Sequence, residues 1–243
     1  VREPSKEKLR VVFDCAARSH GICLNDLLKK GPVLTNSLLG VLCRFREGPV
    51  AFTCDIQSMY HRVHVPESDT NLLRFLWFRD DDPDGELVIW KMRSHVFGAV
   101  SSSSVASFAL GRCADEGRSR YPEAADILLR KTYVDDALCA VDSVESAVRL
   151  TRDLKELCAT GAFNMTKFTS SSSQVLKQVS VEDRGKSVKQ LDLDKDRLCP
   201  ETALGLKWSV EEDTFCFQFR DQQKPVTRRG ILSTVSSVFD PLG

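Results

Sequence analysis

Leu128-Leu129-Arg130-Lys131-Thr132-Tyr133-Val134-Asp135-Asp136-Ala137-Leu138-Cys139-Ala140-Val141 is the stretch on which the reading of this chain turns. Residues 128–133 and the apolar run 137–141 predict two strands joined by a tight turn that carries two adjacent carboxylates. An Asp pair in a turn is ordinarily turn chemistry, because short acidic side chains hydrogen-bond their own backbone. A second segment changes that reading. Val50-Ala51-Phe52-Thr53-Cys54 is a short apolar strand that ends at Asp55. Carboxylates at the ends of neighbouring strands converge, and unpaired negative charges gathered in one place imply a cation. Mg²⁺ prefers such oxygen ligands. Two such ions about 3.5–4 Å apart support phosphoryl transfer.

Outward from these strands, apolar residues at 34, 38, 41, 42 and 45 fall at helical spacing and stop at Gly48-Pro49. A helical turn follows Asp55 through Tyr60. Residues 72–78 and 86–92 flank Asp80-Asp81-Asp82-Pro83-Asp84-Gly85, a hairpin with an acidic turn. Positions 105, 108, 109 and 113 predict a helix capped by one of Ser101–Ser104. Positions 144, 147, 148, 151, 154, 157 and 158 make the clearest amphipathic helix, ended by Gly161. Residues 170–200 are polar with few order signals. Residues 203–208 and the alternating Phe215, Phe217 and Phe219 predict another hairpin. The pattern is α+β and not a regular βαβ series.

The 243 residues suit one large domain or two small ones, with 42% hydrophobic and 28% charged residues as in ordinary globular proteins. No apolar run approaches the ~18 residues of a membrane span. The charged start, Val1 to Lys8, is not a signal peptide, and the missing Met points to a fragment. Net charge is zero, which argues mildly against nucleic acid. Residues 1–50 nevertheless hold nine Lys/Arg against five Asp/Glu. The nine cysteines form no CxxC, so free thiols in a reducing compartment are expected rather than zinc or disulfides.

Tyr133-Val134-Asp135-Asp136 resembles the YxDD box of reverse transcriptases, and further boxes occur in that family's order. Leu9-Arg10-Val11-Val12-Phe13-Asp14 resembles the fingers strand. Leu24-Asn25-Asp26 and Gly31-Pro32 follow as in BEL/Pao retrotransposons. Asp55 to Tyr60 resembles the first palm box, and Phe97 to Ser102 the dNTP-side helix box. Asn164-Met165-Thr166-Lys167 resembles the lysine box, and Leu204 to Trp208 the primer grip. Thr227 to Ser233 and Phe239 to Gly243 resemble the BEL/Pao segment beyond it. The helix box reads Ser101-Ser102-Ser103-Ser104 where the family commonly has Ser-Ser-Pro.

The resemblance implies a right-hand polymerase palm, an antiparallel sheet backed by helices, with a partial fingers subdomain. It divides the chain into partial fingers and lead-in helix (1–49), the first catalytic box of the palm (50–65) and a fingers hairpin (66–97). The palm with catalytic hairpin and primer grip (98–220) and the start of a connection segment (221–243) complete it. Asp55, Asp135 and Asp136 would hold two Mg²⁺ ions, with Mn²⁺ as a substitute, and Lys167 would protonate the leaving pyrophosphate. Arg10, helped by Lys8, would hold the triphosphate of the incoming dNTP, since its planar fork suits phosphate. Tyr60 would be the steric gate against a ribose 2′-hydroxyl. Phe97, Gly98 and Ser102 would line the nucleotide pocket, and Tyr133, Val134, Gly205 and Trp208 would meet primer or template. Partners would be an RNA or DNA template with primer, and dNTPs, with no membrane. RNase H and integrase would lie elsewhere in the element. The setting would be intracellular, cytoplasmic and particle-associated. Two alternatives stand beside this: an inactive retroelement relic that at most binds nucleic acid, and a zinc protein using His61, His64, His95 and a Cys.

Overall fold

The computed structural model describes residues 12–217 and 225–241. In chain order the elements are α1 (Leu24–Leu27), α2 (Leu38–Arg44), β1 (Val50–Ile56), β2 (Arg74–Phe78), β3 (Leu87–Lys91), α3 (Ser102–Gly117), α4 (Pro122–Arg130) and β4 (Thr132–Tyr133). Then come β5 (Asp136–Val141), α5 (Val144–Thr160), β6 (Met165–Ser170), α6 (Ser173–Lys177), β7 (Glu201–Ala203), β8 (Leu206–Ser209), β9 (Thr214–Cys216) and α7 (Arg228–Val235). The chain divides into two compact units, Val1–Thr35 with Ser58–Arg112 and Asn36–Gln57 with Cys113–Gly243, one boundary falling within α3. The chain is thus α+β, with antiparallel sheets and helices. Among the described residues no helix is long and apolar enough to cross a membrane.

The second unit is built on a four-stranded sheet of order β4-β5-β1-β6, antiparallel throughout. The register of β1 on β5 runs from Val50↔Val141 to Asp55↔Asp136. Residues directly opposite one another share a face, so Ala51, Thr53 and Asp55 lie on one face with Ala140, Leu138 and Asp136. Ala51 and Leu138 join Val41, Leu42, Phe45, Ala203, Leu206, Trp208 and Val210 in one buried cluster. On the other face Cys139 lines a cavity together with Ile127 of α4 and Leu150 of α5. Along α5, Ala147, Leu150, Thr151, Leu154, Leu157 and Cys158 are buried, the i, i+3, i+4 stripe of an amphipathic helix. Ser143 caps it by accepting from the Ser146 N–H.

Several expectations need correction. Residues 128–130 are not strand: they end α4, which begins with Pro122 in its first turn and buries Ala124, Ala125, Ile127 and Leu128. Proline suits that position because the N–H it lacks has no helical partner there. Leu34 is an exposed loop residue, and α2 starts only after Ser37, whose hydroxyl accepts from the Gly40 N–H. Gly161 follows α5 but has φ −94, and Ala162 takes the left-handed conformation instead. Gly161 is demanded by close approach, since a Cβ there would lie 2.7 Å from Cys113 Sγ. Residues 170–200 are better ordered than their polarity suggests, with Val175, Leu176, Val179 and Val188 buried.

Residues 203–208 are two strands, not one. Leu204 (φ 48) and Gly205 (φ 90) form a tight turn, and β7, β8 and β9 make a three-stranded antiparallel sheet. Phe219 lies outside the described residues. Trp208 anchors this sheet. Its wholly buried indole meets Phe45 edge-on at 5.0 Å and donates to Asp213 Oδ1 at 2.8 Å. Arg46 pairs with the same carboxylate at 2.6 Å, and its guanidinium lies over the Phe45 and Phe215 rings.

In the first unit β2 and β3 form the expected hairpin, paired from Arg74↔Lys91 to Phe78↔Leu87. Its turn places Asp80 and Asp81 at positive φ, and the Trp77 indole donates to Asp81 at 2.6 Å. A small core gathers Cys15, Leu73 and Val96 with Phe13, Leu24, Val65, Met92 and Ala99 around them. Of the expected strand 9–13, residues 9–11 lie outside the described residues. Phe13 belongs to no strand, though its N–H donates to the Phe97 carbonyl.

Trp208 carries the first prediction. Trp208→Ala should cost about 3–5 kcal/mol in urea unfolding, the usual loss for a buried large aromatic. Trp208→Phe, which keeps a ring but leaves Asp213 short of one donor, should cost about 1–2 kcal/mol.

Candidate active site

Asp55 and Asp136 face each other across β1 and β5, and Asp135 occupies the turn between β4 and β5. The turn has only two residues, Val134 and Asp135, because Tyr133 pairs with Asp136. Val134 sits at φ 57, a conformation that costs a branched side chain of order 1–3 kcal/mol and that glycine adopts freely. The backbone carbonyl of Asp135 accepts from the Ile56 N–H at 2.8 Å, which ties the turn to the end of β1. The pairing of β1 with β5 therefore sets Asp55 opposite Asp136, about 80 residues away in the chain, with Asp135 next to Asp136 in the turn.

Like charges opposite one another in a sheet repel. The consequence appears at Asp136, whose pKa is raised from 3.8 to about 6 by burial first, and then by the charges of Asp135 and Asp55. Lys167 works against that rise. Its ammonium lies 2.8 Å from Asp55 Oδ2, the lysine 58% exposed and the aspartate 17%.

Lys167 reaches Asp55 through an irregularity of β6. Between Thr53↔Thr169 and Asp55↔Thr166 the register shifts, with one more residue on β6 than on β1. Thr166 and Thr169 thereby share the Asp55 face, while Met165, paired with Ile56, and Ser170, paired with Phe52, take the other. Lys167 stands outside that alternation with φ 56. Bulges of this kind re-aim a side chain. Asn164 holds the approach to β6: its carbonyl accepts from the Gln57 N–H at 2.9 Å and its amide donates to Gln57 Oε1 at 2.8 Å. Neither Gln57 nor Asn164 stood out in the sequence beyond membership of a box.

Hard oxygen donors that repel one another suit a hard divalent cation. Asp55, Asp135 and Asp136 meet that description, and an ammonium already neutralises one of them. Among the described residues, however, no group of three or more His, Cys, Asp or Glu side chains is gathered closely enough to hold a metal ion. That holds equally for His61, His64, His95 and any cysteine. His95 is half-buried, which lowers its pKa, and its ring lies 3.5 Å from the Ser102 hydroxyl.

Within the first unit, Tyr60 lies against Phe97 with centroids 4.8 Å apart and the rings tilted by 48°, and His61 meets Phe97 edge-on. Phe97 is 41% exposed. Gly98 is required, though by its own chain: at φ 108 a Cβ would fall 2.0 Å from the Phe13 carbonyl oxygen. Ser102 is buried, and its hydroxyl donates to the Val96 carbonyl at 2.8 Å, bracing the helix start. Asn25 is a residue whose part the sequence did not reveal. Its amide donates to the Gly98 carbonyl and its oxygen accepts from the Val100 N–H, both at 3.0 Å, clamping the loop that carries Phe97. The Leu24-Asn25-Asp26 box was the signal, but it named no partner.

In the second unit Tyr133 packs against the Trp208 cluster. Trp208 is core and offers no surface to a primer. Gly205 lies at its turn tip with Phe239 resting on it, 2.7 Å from where a Cβ would be. Arg10 and Lys8 lie outside the described residues.

No protein-family model matches the chain, and no curated protein matches it. Among solved structures it is similar to a foamy viral protease-reverse transcriptase in complex with double-stranded DNA, with TM-score 0.61 and 14% identity. The fold is reverse-transcriptase-like. The match covers 97% of this chain and 34% of that one, so the chain spans about a third of its relative.

The Asp136 environment yields a pH prediction. A carboxyl with a raised pKa favours the protonated fold. Its stabilising effect is full below about pH 4 and is lost as pH rises through about 6. The difference amounts to ~3 kcal/mol as an order of magnitude. Asp136→Asn should therefore stabilise the ion-free protein at neutral pH and flatten urea stability between about pH 4 and 7. A variant that keeps the parent's slope would contradict the assignment.

Proposed function

We propose that this chain is the polymerase part of a reverse transcriptase of an LTR retrotransposon, of the BEL/Pao kind, which extends a primer with dNTPs on an RNA or DNA template. The observation that carries the reading is the Asp55↔Asp136 pairing with Asp135 in the adjoining turn, within a fold similar to a reverse transcriptase. The box order supports it at finer grain. On this reading residues 50–65 and 98–220 are palm, residues 1–49 and 66–97 are fingers and lead-in helix, and residues 221–243 begin a connection segment.

The reaction is attack of a primer 3′-hydroxyl on the α-phosphate of a dNTP, with pyrophosphate leaving. Such transfer asks a protein chiefly for positioning and charge stabilisation. Asp55, Asp135 and Asp136 would hold Mg²⁺, or Mn²⁺ in its place. When bound, these ions would lower the charge on the reacting phosphate and favour the ionised 3′-oxygen. The tight turn keeps Asp135 and Asp136 at a fixed spacing, so little reorganisation accompanies the reaction. Lys167 carries a proton on an exposed ammonium and would supply it to the departing pyrophosphate. Phe97 and Tyr60 form a tilted aromatic pair, and Tyr60 would exclude the 2′-hydroxyl of a ribonucleotide. Asn25 would hold the loop that presents Phe97. An RNA or DNA template with its primer, and dNTPs, are the implied partners.

Primer extension on an oligo(dT)-primed RNA template, with Mg²⁺ and then Mn²⁺, tests this. The parent should extend, and Asp55→Asn and Asp135→Asn should each lower the rate by at least about 10³-fold, the scale for loss of a main charge-stabilising group. Tyr60→Val should retain dNTP extension while admitting ribonucleotides. Extension that survives Asp135→Asn sinks the assignment. Template-primer binding without extension by the parent would favour the inactive relic.

A further inference from the structure

We propose that Lys167 is an internal counter-ion for the carboxylate cluster, a latch on Asp55 that a divalent ion must displace before the site can load. The inference rests on the metal-dependent reading above and concerns how this chain manages the site without its ions. Three observations support it.

First, the contact is built into the backbone. Lys167 is the residue that stands outside the alternation of β6, and the bulge holds it at φ 56. Without the extra residue a regular strand would carry the position after Thr166 to the face opposite Asp55. The lysine is aimed at the cluster, then, by a conformation that ordinary side chains avoid.

Second, the contact is direct. At 2.8 Å the ammonium occupies the coordination space of Asp55 Oδ2. An Mg²⁺ ion needs its oxygen ligands at about 2.0–2.1 Å. One carboxylate oxygen cannot serve both cations along the same approach, so loading and latching compete.

Third, the latch can open cheaply. Asp55 is 17% exposed and fixed in a paired strand, whereas Lys167 is 58% exposed. The fixed partner is the carboxylate and the movable one is the ammonium, whose flexible stem can swing into water without leaving a cavity. Displacement by metal would free that charge beside the reaction site, where a phosphate group is the next anion for it to meet. Metal loading and release of the proton donor would thus be one event.

Mn²⁺ binding to the full chain, followed by electron paramagnetic resonance without template or nucleotide, tests the latch independently of activity. Lys167→Met keeps the length of the stem and removes the charge, and should bind Mn²⁺ about tenfold more tightly than the parent. Lys167→Arg keeps charge and reach, and should stay within about twofold of the parent. Far-UV circular dichroism should show both variants folded, as the exposure of the side chain implies. Equal Mn²⁺ affinity in parent and Lys167→Met overturns the latch and leaves the metal reading standing. Tighter binding in Lys167→Arg as well as in Lys167→Met also overturns it, because charge would not then be the cause. No Mn²⁺ binding by the parent or by Lys167→Met overturns the metal reading and the latch together.

Discussion

Two carboxylates placed directly opposite each other on adjacent antiparallel strands are an arrangement that a sheet tolerates only with compensation. Asp55 and Asp136 occupy such a pair, and Asp135 adds a third negative charge one residue away. Much of the local architecture answers to that repulsion. Burial and the neighbouring charges of Asp135 and Asp55 push the Asp136 carboxyl up to about 6, so that it holds a proton more readily than an isolated carboxyl would. The bulge in β6 brings an ammonium to Asp55. The turn is held against β1 by the hydrogen bond between Ile56 and the Asp135 carbonyl.

Rigidity behind the carboxylates comes from the two faces of the same sheet. Ala51 and Leu138 lie on the acidic face, one or two pairs from the charges, inside the cluster organised by Trp208 and Phe45. The strand that carries Cys139 on the opposite face, β5, packs against α4 and α5. The strand ends cannot splay without opening one of these layers. Trp208 serves the carboxylates through this support, and its indole N–H is spent on Asp213, a residue shared with Arg46. A tryptophan in a box associated with primer contact is here a structural anchor, while the glycine of the same box, Gly205, forms the turn at the tip.

The first unit shows the same division between presentation and bracing. Phe97 is the partly exposed member, in ring contact with Tyr60 and His61. Gly98, Ser102 and Asn25 hold the backbone beneath it, through a close approach to Phe13, a hydroxyl bond to Val96 and a two-sided amide clamp. Conformational strain and buried polar bonds of this kind persist where their surroundings determine them completely.

The sequence by itself determined the α+β class, strand β1, strand β5, the amphipathic face of α5, the acidic hairpin and the three aspartates at strand ends. These follow from local periodicity and turn chemistry, which short windows of residues carry in full. It did not determine α4, because a leucine-rich run of four to eight residues reads equally as strand or helix, and the Pro122 start went unused. It did not separate β7 from β8, because Leu204 takes a left-handed conformation that nothing in its own chemistry requires. The tertiary structure alone decided which side of β6 Lys167 takes, what Asn25 bridges, why Gly98 must lack a side chain and that Trp208 is buried. Each of these depends on register or on contact between residues far apart in the chain. Such information is not local, and a shift of one residue in a strand reverses the face on which every following side chain lies.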